Sequence, residues 1–429
     1  MRTVHKGIGT AVTNATQART NSTPVGCRGR ALIIGGSLSG LFAALLLRGR
    51  GWEVDVYERA ETELAGRGAG IVTHRMLWDA LDAIGIDWRD NLGVNVATRR
   101  MFALDGRLIL ELACPQTMTA WDRVYAMLRD AYPTQNYHCG KELARIQQCE
   151  DEVTAIFADG TSVSGALLVG CDGLRSTVRK QVLPETVPIY AGYAAWRGLV
   201  PESAFSSDLH HQLFMHMAFC LPPGEQMLGY PVAGPGNDLR PGHRRYNLVW
   251  YRPAEAHTAL KRLLTDDRGV THQISIPPPA VSRAVIADMR EAAERVLAPQ
   301  FRECWRMAEQ PFLQAIYDVQ SPRLAFGRVT IMGDASYVAR PHCGAGVAKA
   351  ADDAIALAQA LSSERSIDAA LRKYEAERVP LGCRIVGHAR RLGSYLQSQI
   401  KTTEERLAAE QHFTPEAVLR ETATLDFLV

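Results

Sequence analysis

The chain has 429 residues, of which 47% are hydrophobic and 22% are charged. This is the composition of a globular protein large enough for two or three structural units, and it excludes a wholly disordered chain. The formal net charge of +2 is too small to indicate nucleic acid or an anionic membrane as the main partner. The expected partner is therefore a small molecule.

The nine cysteines are scattered and never spaced as CxxC. Neither a disulfide framework nor a metal site is expected, and a reducing cytoplasm fits this pattern best. The sequence contains no run of about 18 apolar residues, so no membrane-spanning helix is expected. The oligomeric state stays open, with a homodimer as one alternative.

Residues 1–29 carry Arg2, Lys6, Arg19 and Arg28 and no acidic residue. This composition superficially resembles an organelle transit peptide. The segment lacks apolar helical periodicity, however, so we predict a disordered N-terminal tail.

A regular pattern begins at residue 30. Ala31 to Ile34 is a short apolar run, Leu41 to Arg50 favours a helix, and Glu53 to Tyr57 predicts a second strand. This order is typical of the βαβ unit of an α/β fold.

The glycine-rich turn between this strand and helix predicts a dinucleotide site. Gly35 permits a tight bend, Gly40 lets the helix pack on the strand, and Ser37 replaces the glycine that approaches a pyrophosphate. Glu58 ends the second strand, where its carboxylate can accept the ribose hydroxyl protons. The predicted contacts are Gly35, Ser37, Leu38, Gly40, Glu58 and Arg59. A strand-turn-helix unit without ligand also needs glycines and is the alternative.

The middle of the chain changes character. Paired strands are predicted around Asp159-Gly160, with Ala166 to Val169 as a buried strand. The segments Gln212 to Phe219, Met227 to Val232 and Tyr246 to Tyr251 alternate in polarity and predict an antiparallel sheet.

The C-terminal third returns to the first pattern. Arg328 to Met332 predicts another buried strand, and the Ala-rich segment from Gly346 to Leu361 predicts a helix. A further helix is expected to start after Ser366, as its N-cap, and to be broken or kinked by Pro380.

Two more turns carry candidate chemistry. The segment Gly170 to Arg179 follows a buried strand and contains Asp172 and Gly173. A purely structural alternative is an Asx turn that caps a helix, with Ser176 as an exposed cap. The Gly333-Asp334 pair follows the strand that ends at Met332, and the loop from Arg340 to Gly346 leads into a helix N-terminus that favours an anion. Asp334 as a simple cap is the alternative.

These three motifs, in this order and spacing, resemble the FAD-dependent aromatic hydroxylases typified by 4-hydroxybenzoate hydroxylase. The resemblance covers residues 30–385. Ser37 in the turn, residues 190–198 and residues 339–347 look most like the 2,6-dihydroxypyridine 3-hydroxylase branch. The resemblance implies tight, non-covalent FAD, transient NADH or NADPH, and O₂. It also implies a hydroxypyridine or related phenol-like substrate, such as 2,6-dihydroxypyridine, 6-hydroxynicotinate or 6-hydroxy-3-succinoylpyridine, hydroxylated through a flavin C4a-hydroperoxide.

The implied fold is α/β, α+β overall, with a Rossmann-like FAD-binding domain in a discontinuous chain, an antiparallel-sheet substrate domain and C-terminal helices. The predicted division is a tail at 1–29, an FAD-binding domain at 30–185 and 321–385, a substrate domain at 186–320 and a helical segment at 386–429.

The resemblance also assigns roles to residues. Asp172 and Gly173 would serve both FAD and the passing nicotinamide cofactor, and Asp334 would contact the ribityl chain. The remaining expected FAD contacts are Gly333, Gly344, Ala345 and Gly346. An Arg common in the family near residue 121 is replaced by Trp121, with Arg123 two places later, so a contact between Arg123 and FAD is not expected.

Four residues are candidates to move the proton of a hydroxylated ring: His211, His216, Tyr230 and His342. His342 is expected to face the flavin with a pKa near 6.5. Strand alternation would place His216 on the same face as Phe214. For each candidate, an ordinary structural role is the alternative. Two other functions also stay open, a flavin oxidase or dehydrogenase on the same fold and a non-catalytic redox-regulatory flavoprotein.

Overall fold

A computed structural model describes residues 29–64 and 70–428, so the predicted tail at 1–29 lies almost entirely outside the described residues. The strands are β1 Arg30–Ile34, β2 Glu53–Tyr57, β3 Gly70–Val72, β4 Val94–Phe102, β5 Leu108–Ala120, β6 Tyr137–His138, β7 Leu143–Gln148, β8 Val153–Phe157, β9 Ser162–Gly165, β10 Leu167–Gly170, β11 Ile189–Pro201, β12 His216–Cys220, β13 Gln226–Val232, β14 Arg245–Pro253, β15 Phe312–Gln320, β16 Ala325–Phe326, β17 Val329–Ile331 and β18 Tyr337–Val338. The helices are α1 Leu38–Arg48, α2 Arg75–Ile84, α3 Trp121–Ala131, α4 Thr177–Val182, α5 Ser207–Leu209, α6 Ala259–Leu263, α7 Arg283–Val296, α8 Pro299–Met307, α9 Gly346–Ser363, α10 Ile367–Leu392, α11 Thr403–His412 and α12 Pro415–Glu421.

The first layer is a mostly parallel sheet in the order β16-β17-β10-β1-β2-β6, with β16 antiparallel at one edge. Ala31, Leu32 and Ile33 of β1 are completely buried, as expected of a central strand with both faces covered. Helix α1 packs between α9 and α3. The predicted βαβ unit and the mixed α/β class are confirmed, and α1 starts three residues earlier than predicted.

The second layer is a sheet in the order β18-β15-β11-β14-β13-β12-β4-β5-β3, antiparallel except for the parallel pair β12 and β4. One face packs against α7 and α8 through side chains such as Met289 and Trp305. The other face packs against C-terminal residues such as Leu396 and Leu419. Strands β3 to β5 come from residues 70–120, so a division of the chain at residue 186 does not separate the two sheets.

One predicted strand starts later than expected. Residues His210–Phe214 form a π-helical turn, and β12 begins at His216. Phe214 is stacked on His210, with ring centres 4.7 Å apart, and packs edge-on against Phe205. This aromatic packing overrides the alternating pattern, so the predicted common strand face of Phe214 and His216 is wrong.

Helix α10 is longer than predicted. It runs from Ile367 to Leu392 through Pro380, so the break at Pro380 is wrong, and the predicted boundary at 385 lies inside this helix. Buried residues on both sides of the proline, Arg378 and Ile385, hold the adjacent turns. Ser366 caps the helix as predicted, because its hydroxyl accepts a hydrogen bond from the Ala369 N–H at 3.2 Å.

Candidate active site

The turn after β1 brings backbone atoms unusually close together. Gly35 has φ +105°, and a Cβ there would lie 2.5 Å from the carbonyl oxygen of Cys171. A Cβ on Gly40 would lie 1.9 Å from the oxygen of Gly35. A side chain at Gly35 would collide with the backbone that follows β10, and a side chain at Gly40 would push α1 away from the turn. The predicted steric role of both glycines is therefore what the geometry requires.

A cavity of about 360 Å³, which we call the strand-end cavity, opens where β1, β2 and β10 end. Its lining includes Gly35, Ser37, Glu58, Arg59, Trp121, Lys141, Asp172, Gly173 and Arg175. Leu38 and Gly40 are buried in the first turn of α1. The Ser37 side chain makes no capping hydrogen bond, so the first N–H groups of α1 are left for an anion.

Glu58 is 7% exposed and accepts hydrogen bonds from the N–H groups of Gly36 at 2.8 Å and Ala60 at 2.9 Å. These two bonds hold the carboxylate at the wall of the strand-end cavity, where ribose hydroxyls could donate to it. Trp121 lines the same cavity, whereas Arg123 donates to the carbonyl oxygen of Asn91 at 3.0 Å.

The Asp172 carboxylate accepts hydrogen bonds at the N-terminus of α4. They come from the Ser176 hydroxyl at 2.5 Å and from the backbone N–H groups of Thr177 at 2.6 Å and Val178 at 3.1 Å. Asp172 therefore caps α4, as the structural alternative proposed. Ser176 is fully buried, so the exposed position that the capping alternative gave it is wrong.

Between the strand-end cavity and a cavity on the face of the nine-stranded sheet lies a smaller cavity that shares lining residues with both. This bridging cavity has a volume of about 270 Å³ and is lined by Arg59, Asp172, Gly173, Leu174, Arg175, Ile274, Ser275, Gln314 and Ala315. It shares Asp172 and Gly173 with the strand-end cavity, and Gln314 and Ala315 with the cavity on the sheet face. The three form one extended trough.

The cavity on the sheet face, which we call the sheet cavity, has a volume of about 280 Å³. Its apolar lining includes Val72, Met217, Leu228, Val249 and Ile316, and its polar lining includes Arg197, Tyr230, Tyr251, Gln314, Asp334, His342 and Thr422. Gly344, Ala345 and Gly346 border it at the start of α9, where a Cβ on Gly346 would meet no atom within 4 Å. Gly333 lies buried below Asp334 and donates its N–H to Asp353 at 3.1 Å.

His342 is buried in the wall of the sheet cavity. Its Nε2 lies 2.7 Å from the Tyr193 hydroxyl, and its ring centre lies 4.6 Å from that of Tyr251. Burial, and then the charge of Arg340, lower the pKa of His342 to about 3. The ordinary pKa expected from the sequence is therefore wrong, and the imidazole is neutral at pH 7.

A polar chain leads away from His342. Burial raises the pKa of Tyr193 well above 10, so its hydroxyl stays protonated. The guanidinium carbon of Arg340 lies 5.7 Å from the Tyr193 ring centre, and Arg340 forms an ion pair with buried Asp318 at 3.1 Å. Either the Tyr193 hydroxyl or an Nε2–H of the neutral imidazole can donate in the hydrogen bond between these two side chains.

Arg197 and Gln314 line the sheet cavity but were not predicted as site residues. Arg197 of β11 donates from Nε to Gln314 Oε1 at 3.2 Å, and it forms no ion pair with any residue that the structure describes. Burial raises the pKa of Tyr230 to about 12, while Arg197 opposes this shift. Arg197 stands in the segment 190–198, but no local pattern says which way its side chain points.

The remaining histidine candidates lie elsewhere. His211 is exposed on the π-helical turn. The Nδ1 of His216 lies 2.5 Å from the Thr98 hydroxyl, and burial, followed by the charge of Arg100, lowers its pKa to about 4. Neither residue lines the sheet cavity, whereas Tyr230 and His342 both do.

Comparison with known proteins identifies the family. The chain is 31% identical over 369 residues to 2,6-dihydroxypyridine 3-monooxygenase of Paenarthrobacter nicotinovorans, which covers 86% of this chain and 91% of that protein. It is 30% identical over 382 residues to 3-amino-4-hydroxybenzoate 2-monooxygenase of Streptomyces cremeus, covering 85% and 86% of the two chains. The chain belongs to the FAD-dependent monooxygenases.

Domain families and solved structures agree with this assignment. Residues 190–318 match the family "FAD binding domain-like" and residues 315–389 match "FAD binding domain". The structure of 2,6-dihydroxypyridine-3-hydroxylase from Arthrobacter nicotinovorans superimposes with a TM-score of 0.81 at 30% identity, over 87% of this monooxygenase and 94% of that chain. Klebsiella pneumoniae HpxO complexed with FAD and uric acid shares the fold, with a TM-score of 0.69 at 23% identity over 91% and 96%.

The residues of this monooxygenase fit FAD. The trough is extended, Gly35 lines it without a side chain, and Gly40 lets α1 pack against the turn. The first N–H groups of α1 have no side-chain cap and lie next to Glu58. At the other end Asp334 and the start of α9 border the sheet cavity. Within residues 29–64 and 70–428 we find no cluster of three or more His, Cys, Asp or Glu side chains suited to a metal ion, and no helix long and apolar enough to span a bilayer.

Proposed function

We propose that this FAD-dependent monooxygenase hydroxylates a hydroxypyridine or a related hydroxylated ring in its anionic form, with NADH or NADPH as reductant. The observation that carries the proposal is Arg197, a guanidinium in the wall of a small, largely apolar cavity without a carboxylate partner among the described residues. The relatives named for 2,6-dihydroxypyridine and for 3-amino-4-hydroxybenzoate both act on hydroxylated rings.

Bound FAD, once reduced, activates O₂ so that one oxygen atom can be inserted into the ring. The expected FAD contacts are Gly35, Ser37, Glu58, Arg59, Asp172, Gly173, Asp334, Gly344, Ala345 and Gly346, which line the trough, with Leu38, Gly40 and Gly333 supporting it from behind. The nicotinamide cofactor would bind transiently at the bridging cavity beside Asp172 and Gly173, where Arg59 and Arg175 offer positive charge to its phosphates.

Arg197 supplies the charge that a ring oxyanion needs. A cation in a partly desolvated cavity lowers the pKa of a hydroxyl bound next to it. The deprotonated ring is the better carbon nucleophile, so holding the oxyanion also activates the ring. Gln314 fixes the guanidinium from the solvent side.

His342 and Tyr230 orient the ring. The neutral imidazole can donate a hydrogen bond, and the protonated phenol of Tyr230 can donate to a ring oxygen or accept from a ring hydroxyl. The apolar residues Leu228, Val249 and Ile316 exclude water from the same space. These residues therefore hold and desolvate the ring while oxygen is inserted.

The test uses FAD-loaded protein, NADH or NADPH, and hydroxypyridines alongside matched phenols. We expect a hydroxypyridine to stimulate NAD(P)H consumption and to yield product that carries one ¹⁸O atom from ¹⁸O₂. Arg197→Gln should raise KM for that ring about 10- to 100-fold, the loss of one charge-assisted hydrogen bond.

Arg197→Lys should retain part of the affinity, and Arg240→Gln, a change at an exposed arginine paired with Asp238, should behave like wild type. Product without ¹⁸O would instead identify an oxidase or dehydrogenase. An unchanged KM in Arg197→Gln would remove the anion site.

A further inference from the structure

Two residues close to the C-terminus form one side of the sheet cavity. Thr422 and Ala423, which we call the C-terminal wall, directly follow α12 and line the cavity. The N–H of Ala423 donates to the carbonyl oxygen of His342 at 2.6 Å. Ala423 has φ +54°, a conformation that is unfavourable for a residue with a Cβ. Surrounding contacts must therefore hold the wall in place.

Arg99 of β4 makes those contacts. Its guanidinium is fully buried and donates to the carbonyl oxygens of Leu419 at 2.6 Å, Thr422 at 2.5 Å and Ala423 at 3.4 Å. Strand β4 pairs with β12 so that Arg99 stands beside Met217, a residue of the sheet cavity. The arginine thus connects the sheet face of the cavity to its C-terminal wall.

The partners of Arg99 are neutral. Besides the three carbonyls it donates to Gln116 Oε1 at 2.6 Å, and Gln116 in turn donates to the Ala423 oxygen at 2.9 Å. No described carboxylate lies within 4.0 Å of this guanidinium. Burial lowers the pKa of Arg99, although a hydrogen bond to Cys114 and the charge of Asp426 oppose this shift. A buried cation without a carboxylate partner is costly. The unpaired carbonyls at the end of α12 offset part of that cost because they carry partial negative charge.

We propose that Arg99 is a positioning residue that holds the C-terminal wall against the sheet cavity, and that Thr422 contacts the ring substrate from that wall. The inference rests on the proposed function for the identity of the ring. The holding of the wall by Arg99 does not depend on which ring binds.

Release of the C-terminal wall would also expose a buried cysteine, Cys343. Beyond Ala423, residues Leu425, Phe427 and Leu428 pack against the cluster that contains Cys343. Cys343 is completely buried and follows His342. A loosened wall would therefore uncover the Cys343 thiol and leave the His342 loop without its hydrogen bond from Ala423. The rate at which Cys343 is alkylated therefore measures the loosening of the wall, and this measurement needs no substrate.

The first measurement compares FAD-loaded, full-length Arg99→Met with wild type by alkylation and peptide mass mapping. We expect Cys343 to react at least about 10-fold faster in the variant, since an opening that costs roughly 1.4 kcal/mol less is tenfold more populated. Arg99→Lys should restore part of the protection. Arg100→Met is the matched control, because the neighbouring Arg100 pairs with Glu111 and donates to the His211 carbonyl instead. An unchanged rate at Cys343 would overturn the proposal.

The second measurement separates binding from folding. Arg99→Met and Thr422→Val should both raise KM for the hydroxypyridine more than they lower kcat, with FAD content unchanged, and Arg99→Met should release more peroxide per NAD(P)H. An exposed Cys343 together with wild-type KM and wild-type peroxide release would show that the wall does not hold substrate, and would overturn the proposal. If Arg99→Met does not fold, Gln116→Leu loosens the same wall and is judged by the same measurements.

The two proposals fail separately. A wild-type protein that hydroxylates no hydroxypyridine contradicts the proposed function. In that case the Cys343 rates of Arg99→Met, Arg99→Lys and Arg100→Met still decide whether Arg99 holds the wall.

Discussion

His342 is 3% exposed and hydrogen-bonds through Nε2 to Tyr193, so its imidazole meets little water that could stabilise a charge. Tyr193 is in turn fixed by Arg340, which is held by Asp318. Protonation of His342 would place a second cation next to Arg340. A role as a base that charges near pH 7 does not fit these surroundings, and under the proposed function His342 would instead orient the ring by hydrogen bonding.

The lowered pKa of His342 predicts how stability depends on pH. Below about pH 6.5, the ordinary histidine value, the unfolded chain binds a proton that the folded chain does not take up until about pH 3. Its contribution to stability is thus fully present above pH 6.5 and is lost as pH falls, at about 1.4 kcal/mol per pH unit. We expect the free energy of unfolding of His342→Gln to fall less steeply than that of wild type between pH 6 and pH 4, as measured by urea denaturation.

The control for this comparison is His257→Gln, a change at an exposed histidine, which should keep the wild-type slope. The buried or half-buried histidines His74, His216 and His388 also have lowered pKa values, each about 4 through burial first, so wild type and both variants share a residual acid sensitivity. Equal slopes for His342→Gln and wild type would mean that His342 titrates normally.

At the scale of elements, α4 depends on two residues outside it, Asp172 and Ser176. The helix spans only six residues, Thr177–Val182, which is too short to be stable by itself. Asp172 accepts hydrogen bonds from two of its first N–H groups and from the Ser176 hydroxyl, and Ser176 accepts the N–H of Arg179 at 2.8 Å. The same carboxylate also borders the strand-end and bridging cavities.

Asp172→Ala should therefore affect folding as well as catalysis. We expect its free energy of unfolding to fall by about 1–2 kcal/mol, as for the loss of a helix cap. Asp172→Asn keeps an oxygen that can accept from the helix and should lose less. Stopped-flow reduction of FAD by NAD(P)H then isolates the second role: slow reduction in Asp172→Asn, with near-normal stability, would assign Asp172 to the cofactors. Wild-type reduction in that variant would leave Asp172 with its cap alone.

Elements with strong local signals could be predicted from the sequence. The β1-turn-α1-β2 unit was predictable because an apolar run, glycines and a helix-favouring run follow one another within about 30 residues. The turn at His210–Phe214 was not, since Phe205 and Tyr246 stabilise it from elsewhere in the chain. Likewise α10 passes through Pro380 because packing on both sides outweighs the local penalty.

The site was predictable where it is built from backbone and was missed where it depends on distant side chains. The glycine turns and Asp334 follow buried strands, and the ends of parallel strands meet at one edge of a sheet. Arg99 and Arg197 lie on strands whose facing direction is set by pairing with β12 and β15. A single sequence does not show those pairings, so it shows neither that Arg197 lines the sheet cavity nor that Arg99 contacts the C-terminal wall.

At the scale of the whole molecule, one buried ionic cluster connects α9, α10 and the Gly333 loop beside the sheet cavity. Asp353 of α9 accepts from Lys349 Nζ at 2.8 Å, from Arg378 Nε of α10 at 2.9 Å and from the Gly333 N–H at 3.1 Å. All three charged side chains are at most 3% exposed. Burial raises the pKa of Asp353, but Lys349 and Arg378 outweigh this and hold it below its ordinary value. The cluster therefore fixes the loop that carries Asp334 between the two layers.

Removal of this carboxylate should damage stability and cofactor binding together. Asp353→Ala leaves Lys349 and Arg378 without their shared partner and should lower the free energy of unfolding by about 3–5 kcal/mol, as when one member of a buried ion pair is removed. The Gly333 loop would lose its anchor, so FAD affinity, followed by flavin fluorescence, should fall as well. Asp368→Ala removes an exposed partner of Arg372 on α10 and should cost less than about 1 kcal/mol with unchanged FAD affinity. If Asp353→Ala loses no more stability than Asp368→Ala, and retains FAD as tightly, then packing alone positions Asp334 and the buried charges contribute nothing to the trough.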